Sequence, residues 1–485
     1  MIRYNKAGHK KSVTKKTYRF MKVGNLDTGD GENFFGFSHP EMALNLRAVD
    51  GEIRNTKGFD VFAPKINIQP AVPRFDVNLV RVFKHYVGDG NGNNRAYIVM
   101  TDRKNNVYYI EPGMNHIPLL IGTTDSEVID MVDFRQDSGD IGVLTTFLGL
   151  YVLHDGELSP VENAPSATCI CAHKGRLFAV RSDGQGRLWF SDVMDVTNWN
   201  ASLSEGGYID LEPGVGDIKK LISLGEYLYC FCENSIWRVT AYGDQREFSV
   251  QKIADTMGRI EHGSAGLVGT AMYFVTDAGF FRFDGWNIVK IMPELDGIVP
   301  YIGSVKAVAS HGTELLYSLI MEKGGPIDIT DTKYLLVRYD VYSGAVSLSQ
   351  GYPIKSMVGI KFYGGSLLAT TQDDYKGNGA MYYLGYEVDA GASFGTPVNK
   401  VYRTGASDLG VPDMKKLVRR VTVSAECPST VKVKTDVEEC VMSAPAGIGV
   451  TLRPRVKGRT VSIELFTDAD EVRIVNPTIS VDVFE

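Results

Sequence analysis

Long apolar runs are missing from this chain. No stretch of its 485 residues reaches the ~18 apolar residues that a membrane helix needs. The basic N-terminus is not followed by a signal-peptide core, so no membrane anchor and a cytosolic origin are expected. Cysteine is scarce: six residues show no disulfide-framework spacing, which excludes a disulfide-stapled scaffold. Long amphipathic helical patterns are nearly absent, and without crossover helices a parallel α/β fold cannot be built. A net charge of −7 gives no overall attraction to nucleic acid. The eight histidines are scattered and no H-E-x-x-H, G-x-S-x-G or P-loop pattern occurs. No catalytic residue, cofactor or metal site is therefore assigned, and the chain reads as a non-enzyme.

What is present is a hairpin that keeps returning. Two short apolar strands joined by a polar or Gly-rich turn recur at 96–110, 141–154, 176–191, 227–240, 272–284, 315–340 and 366–384. A further strand precedes each of them, at 77–85, 128–134, 167–173, 218–224, 264–268, 304–311 and 355–362. A less regular fourth strand follows, as at 248–253 or 287–292. The repeat of roughly 40 to 50 residues is the spacing of four-stranded propeller blades. The sequence thus predicts an all-β chain with a seven-bladed β-propeller, six being the alternative count, over residues 75–390. An array of β-sandwiches is the competing architecture. The 51 glycines fit a protein full of tight turns.

Residues 1–74 read as an irregular arm and lead-in. Ser38-His-Pro-Glu41 has the spacing of a helix cap, predicting a short helix over Pro40 to Leu46. Residues 391–400 read as a linker. From Val401 the pattern changes to strict alternation, with Val421, Val423 and Ala425, then Val431 and Val433, then Val461, Ile463 and Leu465, then Val472 and Ile474, and finally Ile479, Val481 and Val483. One apolar and one polar face predict half-buried antiparallel strands, enough for a small C-terminal β-sandwich over 401–485.

Few residues invite chemistry. Asp89-Gly-Asn-Gly-Asn-Asn94 starts like a calcium loop, but Met100 stands where the closing Glu belongs, so a hairpin tip is expected. Cys169 with Cys171 and Cys230 with Cys232 would make a zinc site only if the pairs met; buried apolar filling between blades is the expectation. Arg3, Lys6, Lys10, Lys11, Lys15, Lys16, Arg19 and Lys22 all precede the first acidic residue, Asp27. This basic arm is expected to order on a partner, with Lys10, Lys11, Lys15, Lys16 and Arg19 as charges and Tyr18, Phe20 and Met21 as apolar anchors; a solvated terminus is the alternative.

Three stretches carry a resemblance. They are Phe34-Phe-Gly-Phe37 with Leu44-Asn-Leu-Arg47, Asp50-Gly51 and Lys57-Gly-Phe59; Gly175 to Val180 with Gly186 to Asp192 and Asn198-Trp199; and Ile218 to Ile291 with Gly258 between two blades. In these the chain resembles the β-propeller structural proteins of tailed-phage virions, such as tail nozzle or hub proteins. Lys57 replaces the proline usual before Gly58. The last part, from Tyr402-Arg-Thr-Gly405 through Asp408-Leu-Gly410 and Lys415-Lys416, is similar to their terminal sandwich. The resemblance implies a subunit of a homo-oligomeric ring in the tail or neck of a virion, made in the host cytoplasm. It would adjoin portal, adaptor or other tail subunits and touch genomic DNA passively. A glycan-binding or sialidase-like propeller for host recognition is the alternative, resting on Trp189, Trp199, Trp237 and Trp286 and on an Asp-box-like turn at Ser182 to Trp189.

Overall fold

The computed structural model describes residues 13–19, 40–49, 52–61, 79–88, 94–111, 118–181, 186–200, 205–211, 216–324, 333–362, 365–371, 384–389, 391–393 and 396–484. Helix among them is confined to three single turns, Gln245–Glu247, Pro293–Leu295 and Val299–Tyr301. The chain divides into two compact units, Phe59–Ala345 with Gly351–Val388, and Met1–Gly58 with Val346–Gln350 and Asp389–Glu485.

The first unit is a β-propeller. Five of its blades are antiparallel sheets of four consecutive strands, spanning 79–123, 128–161, 167–210, 218–255 and 266–291. In the sixth, Ile354–Phe362, Gly365–Thr371 and Leu384–Val388 are joined by the distant strand Gly58–Val61. Between the fifth and sixth blades, Ile302–His311, Glu314–Met321 and Tyr334–Asp340 make an antiparallel meander. Six of the seven expected hairpins form, and in the last one Gly365–Thr371 pairs with Leu384–Val388, whose start is where the expected hairpin ends; six four-stranded blades are present where seven were expected, because within this unit the meander has only three strands.

Blade strands are continuous apolar runs for a physical reason. Every residue of Ala271–Thr276 is buried, and so are five of the six in Tyr227–Cys232. A blade has neighbours on both faces, so both sets of alternating side chains lose water. One core joins the third and fourth blades through Phe178, Leu188 and Phe190 against Leu221, Cys230 and Trp237. Another joins the last blade to the first, with Ile360, Leu368 and Leu384 against Leu79, Val82 and Met100. Phe280 meets Tyr317 of the meander at 5.4 Å, and Ser318 of the meander donates to the Ile354 carbonyl at 2.8 Å. Outermost strands such as Glu157–Val161 are largely exposed.

The second unit has two sheets. Leu46–Val49, Glu52–Asn55, Arg473–Phe484, Lys415–Ala425 and Gly447–Leu452 form one, in that order. The other contains Pro40–Leu44, Lys400–Thr404, Val461–Thr467, Ser429–Thr435 and Glu439–Ala444. Their apolar faces contribute to one core, which includes Ile53, Val421, Val433, Ile463 and Ile479. All thirteen residues named for their alternation from Val421 to Val483 are buried.

Two expectations about residues 1–74 are corrected. Pro40–Leu44 is a strand, not a helix, pairing antiparallel with Lys400–Thr404. Met42 and Leu44 are buried on either side of the less buried Ala43, a period of two. A local cap signal is outweighed here by ladder bonds and burial from a distant partner. The lead-in is likewise not irregular: Val13–Arg19 pairs with Arg473–Phe484 from Val13 opposite Phe484 to Arg19 opposite Thr478. Seven residues of the basic arm therefore pair within their own chain. Residues 64–73, expected to be an extended lead, lie outside the described residues.

Candidate functional site at the propeller axis

The strands that open the blades carry the site. Leu79–Gly88, Val128–Gln136, Ala167–His173 and Ile218–Leu224 neighbour one another in turn. Gly266–Val268 neighbours Ile302–His311 of the meander, which neighbours Ile354–Phe362, which returns to Leu79–Gly88. Such a ring of first strands surrounds the propeller axis.

Six of these seven strands share one irregularity. Pairing with the next strand slips by a residue between Leu79 and Arg81, Val128 and Asp130, Ala167 and Cys169, Ile218 and Lys220, Ile302 and Ser304, and Ile354 and Ser356. A bulge re-aims the side chains beside it and sharpens the local twist. Here it recurs at the same end of each strand, so it acts on a single rim of the axis.

The charges on that lining are unequal. On these strands Arg81, Lys84, Arg135, Lys219, Lys220, Lys306 and Lys355 stand against Asp130 and Asp133. The chain as a whole carries −7. At the bulged rim, Glu127 accepts from Arg81 Nε at 3.2 Å and pairs with Lys355 Nζ at 3.0 Å. Burial works to raise the Glu127 pKa, but the two cations outweigh it and hold the carboxyl below its ordinary value. Lys220 Nζ donates to Asp130 at 3.0 Å. These two sit on strands separated by Ala167–His173, so the pair reaches past the intervening strand. Desolvation opposes the Lys220 charge, and Asp130 overcomes it, raising the ammonium pKa. Lys219 pairs with Asp217 at 3.2 Å. His262 is accessible yet ringed by protein; desolvation, then Lys220, Lys219 and Arg81 depress its pKa, while Asp130 opposes.

Deeper along the strands, His85 Nδ1 and Asp133 lie 2.6 Å apart, and Tyr86 N donates to the same carboxylate at 3.2 Å. His173 Nδ1 meets Ser223 Oγ at 2.8 Å. Gly359 permits close passage of two first strands, since a Cβ there would fall 2.1 Å from the Ser310 carbonyl oxygen.

The residues singled out by sequence are scattered by comparison. Lys15 and Lys16 are exposed on Val13–Arg19, which also contains Tyr18 and Arg19, while Lys10, Lys11, Phe20 and Met21 lie outside the described residues. Cys169, Cys230 and Cys232 share the core between the third and fourth blades, with Cys171 packed against it. Burial pushes the Cys169 thiol up to about 11 and those of Cys171 and Cys232 up to about 12. Among the described residues no group of three or more His, Cys, Asp or Glu is placed to hold a metal ion. The calcium-like Asp89 to Asn93 and the start of the Asp-box-like turn, 182–185, lie outside the described residues. Trp199 and Trp237 are buried and donate to Val196 O at 2.7 Å and Ser235 Oγ at 2.9 Å. Trp286 is 66% exposed, with the Arg238 guanidinium 4.8 Å from its ring centre. Sequence reasoning missed the axis cations; their signal is a Lys or Arg within the first three residues of an apolar strand, as in Arg81, Lys219, Lys220 and Lys355.

No protein-family profile and no curated protein matches the chain. It is similar to the solved structure of the computationally designed Ika8 protein, at 10% identity and a TM-score of 0.39, over 68% of this chain and 100% of that one.

Proposed function

We propose that this chain is a non-enzymatic structural subunit of a tailed-phage particle, acting by assembly in a ring of the tail or head–tail connector beside portal, adaptor or tail subunits. The observation that carries this reading is the resemblance of Gly175–Val180, Gly186–Asp192 and Ile218–Ile291 to virion propellers. Those stretches fall in three consecutive blades, the first two within the blade over 167–210 and the third across the next two. Two finer readings accompany it. The meander Ile302–Asp340 counts as a seventh blade, supported by its first strand standing in the axis ring between Gly266–Val268 and Ile354–Phe362. The second unit is a β-sandwich, supported by two sheets sharing one core. A propeller leaves few open edges and can present broad loops to neighbours without edge-to-edge aggregation.

The test is direct. Intact particles carrying the protein, cross-linked and digested, are expected to yield cross-links from this chain to itself and to tail or connector subunits. Purified particles that lack the chain would overturn the proposal. A second reading, glycan recognition, is favoured by the exposed indole of Trp286 on the Arg238 guanidinium, a platform on which a sugar ring can stack. Binding to host polysaccharide that is lost in Trp286→Ala would move the balance to that reading.

A further inference from the structure

We propose that the bulged rim of the propeller axis is a binding site for a small multivalent anion bearing phosphate or carboxylate groups. The inference is independent of where the protein acts. It rests on charge, placement and pairing together.

Arg81, Lys219, Lys220, Lys306 and Lys355 come from four different first strands of one ring. Facing them are Glu127 and Asp130, together with Asp217 beside Lys219. The carboxylates do not cancel the cations. Glu127 is shared between Arg81 and Lys355, so one negative charge holds two positive groups in place. Lys306 is exposed and has no ion-pair partner among the described residues. It occupies a second slip of the ladder, between Val305 and Ala307.

Lys306 and Lys355 share a level along the axis. Gly359 abuts Ser310, and first strands of successive blades run the same way. Lys355 precedes Gly359 by as many residues as Lys306 precedes Ser310, so the two ammonium groups start from the same height on adjacent strands. The rim is also positive as His262 senses it, because the cations that reach it outweigh Asp130. A rim on which cations outnumber carboxylates concentrates counter-ions. A ligand with several closely spaced negative groups can engage cations from different strands at once, whereas a monovalent ion cannot. Lysine suits the task as a mobile point charge, and Arg81, fixed by Glu127, adds a planar donor.

The experiment is calorimetric titration of the full chain with sodium tripolyphosphate and, separately, with citrate at about 0.1 M salt, where charges more than ~10 Å apart are screened. Saturable one-to-one binding of at least one anion is expected. Tighter tripolyphosphate assigns the site to phosphates, and tighter citrate assigns it to carboxylates. Lys306→Glu reverses the unpaired charge and is expected to weaken binding about tenfold or more. Lys434→Glu, an exposed lysine of the other unit, should leave it unchanged. Absence of saturable heat with both anions overturns the proposal, and so does equal weakening by the two variants, which would mean diffuse attraction to surface lysines. Thermal melting of Lys306→Glu should match the parent, since the side chain is exposed, and the same calorimeter cell can be refilled with folded variant only.

Discussion

Gly359→Ala is the sharpest test of how the ring closes. The added methyl would stand 2.1 Å from the Ser310 carbonyl oxygen, 3.1 Å from its carbonyl carbon and 3.3 Å from His311 Cβ. A methyl carbon and a carbonyl oxygen need about 3.3 Å, so two first strands would have to separate by roughly 1 Å. The obstructing atom is backbone and cannot rotate away. Overpacking of this kind costs typically 1–3 kcal/mol and sometimes more, and a rigid obstacle puts the expected loss at about 3 kcal/mol or above. Gly142→Ala is the matched control: its methyl would meet Met131 Cε at 2.5 Å, the far end of a flexible side chain, with His85 Nδ1 at 3.3 Å. Met131 can change rotamer, so a loss of about 1 kcal/mol is expected. Urea denaturation followed by tryptophan fluorescence reads both losses from the transition midpoints. A Gly359→Ala midpoint equal to that of the parent would refute the close approach of Ile302–His311 and Ile354–Phe362, and with it the place of the meander in the axis ring.

Three further outcomes follow from the same packing. His173 is buried, and desolvation, then Lys174, lowers its pKa to about 4 from an ordinary 6.5. The unfolded chain binds the extra proton between those values, so this stabilisation is complete above the ordinary value and is lost as pH falls towards 4. The loss approaches about 3 kcal/mol, and the difference in urea stability between the parent and His173→Phe should shrink or reverse over that interval; a constant difference would count against a buried neutral imidazole. Lys416 is fully buried and donates to the carbonyls of Val411 at 2.8 Å, Met414 at 3.0 Å and Arg459. Lys416→Met strands these acceptors and is expected to cost about 2–4 kcal/mol, whereas an unchanged melting curve would show that the loop repacks. Deleting residues 1–19 removes the strand on Arg473–Phe484 and should lower the melting temperature by several degrees, about 1–3 kcal/mol of lost pairing; unaltered melting would return the segment to a solvated tail.

Physics that acts locally or repeats is legible in the chain itself. Ala271–Thr276 and Tyr227–Cys232 announce strands covered on both faces because every position, not alternate ones, is apolar. Val431 with Val433 and Val461 with Ile463 announce strands covered on one face because polar residues intervene. Such patterns are written by burial itself, and each needs only a few neighbouring residues to be recognised. The turns between them are equally local, as in Asp277-Ala278-Gly279, where Gly279 takes a φ of 135°.

Pairing with distant segments decided the rest. Ser38-His-Pro-Glu41 carries a helix-cap spacing, but Lys400–Thr404 makes Pro40–Leu44 a strand, and nothing near Pro40 records that partner. Gly58–Val61 completes a blade whose other strands lie at the far end of the propeller sequence. The axis site was hidden for the same reason. Arg81, Glu127, Lys220 and Lys355 each look like an ordinary charge near the start of an apolar strand. Sequence determined that each of these strands would form and, to within two residues, where it would begin; only ring closure brings those beginnings onto one rim, where a charge separated from the next by an entire blade becomes its neighbour.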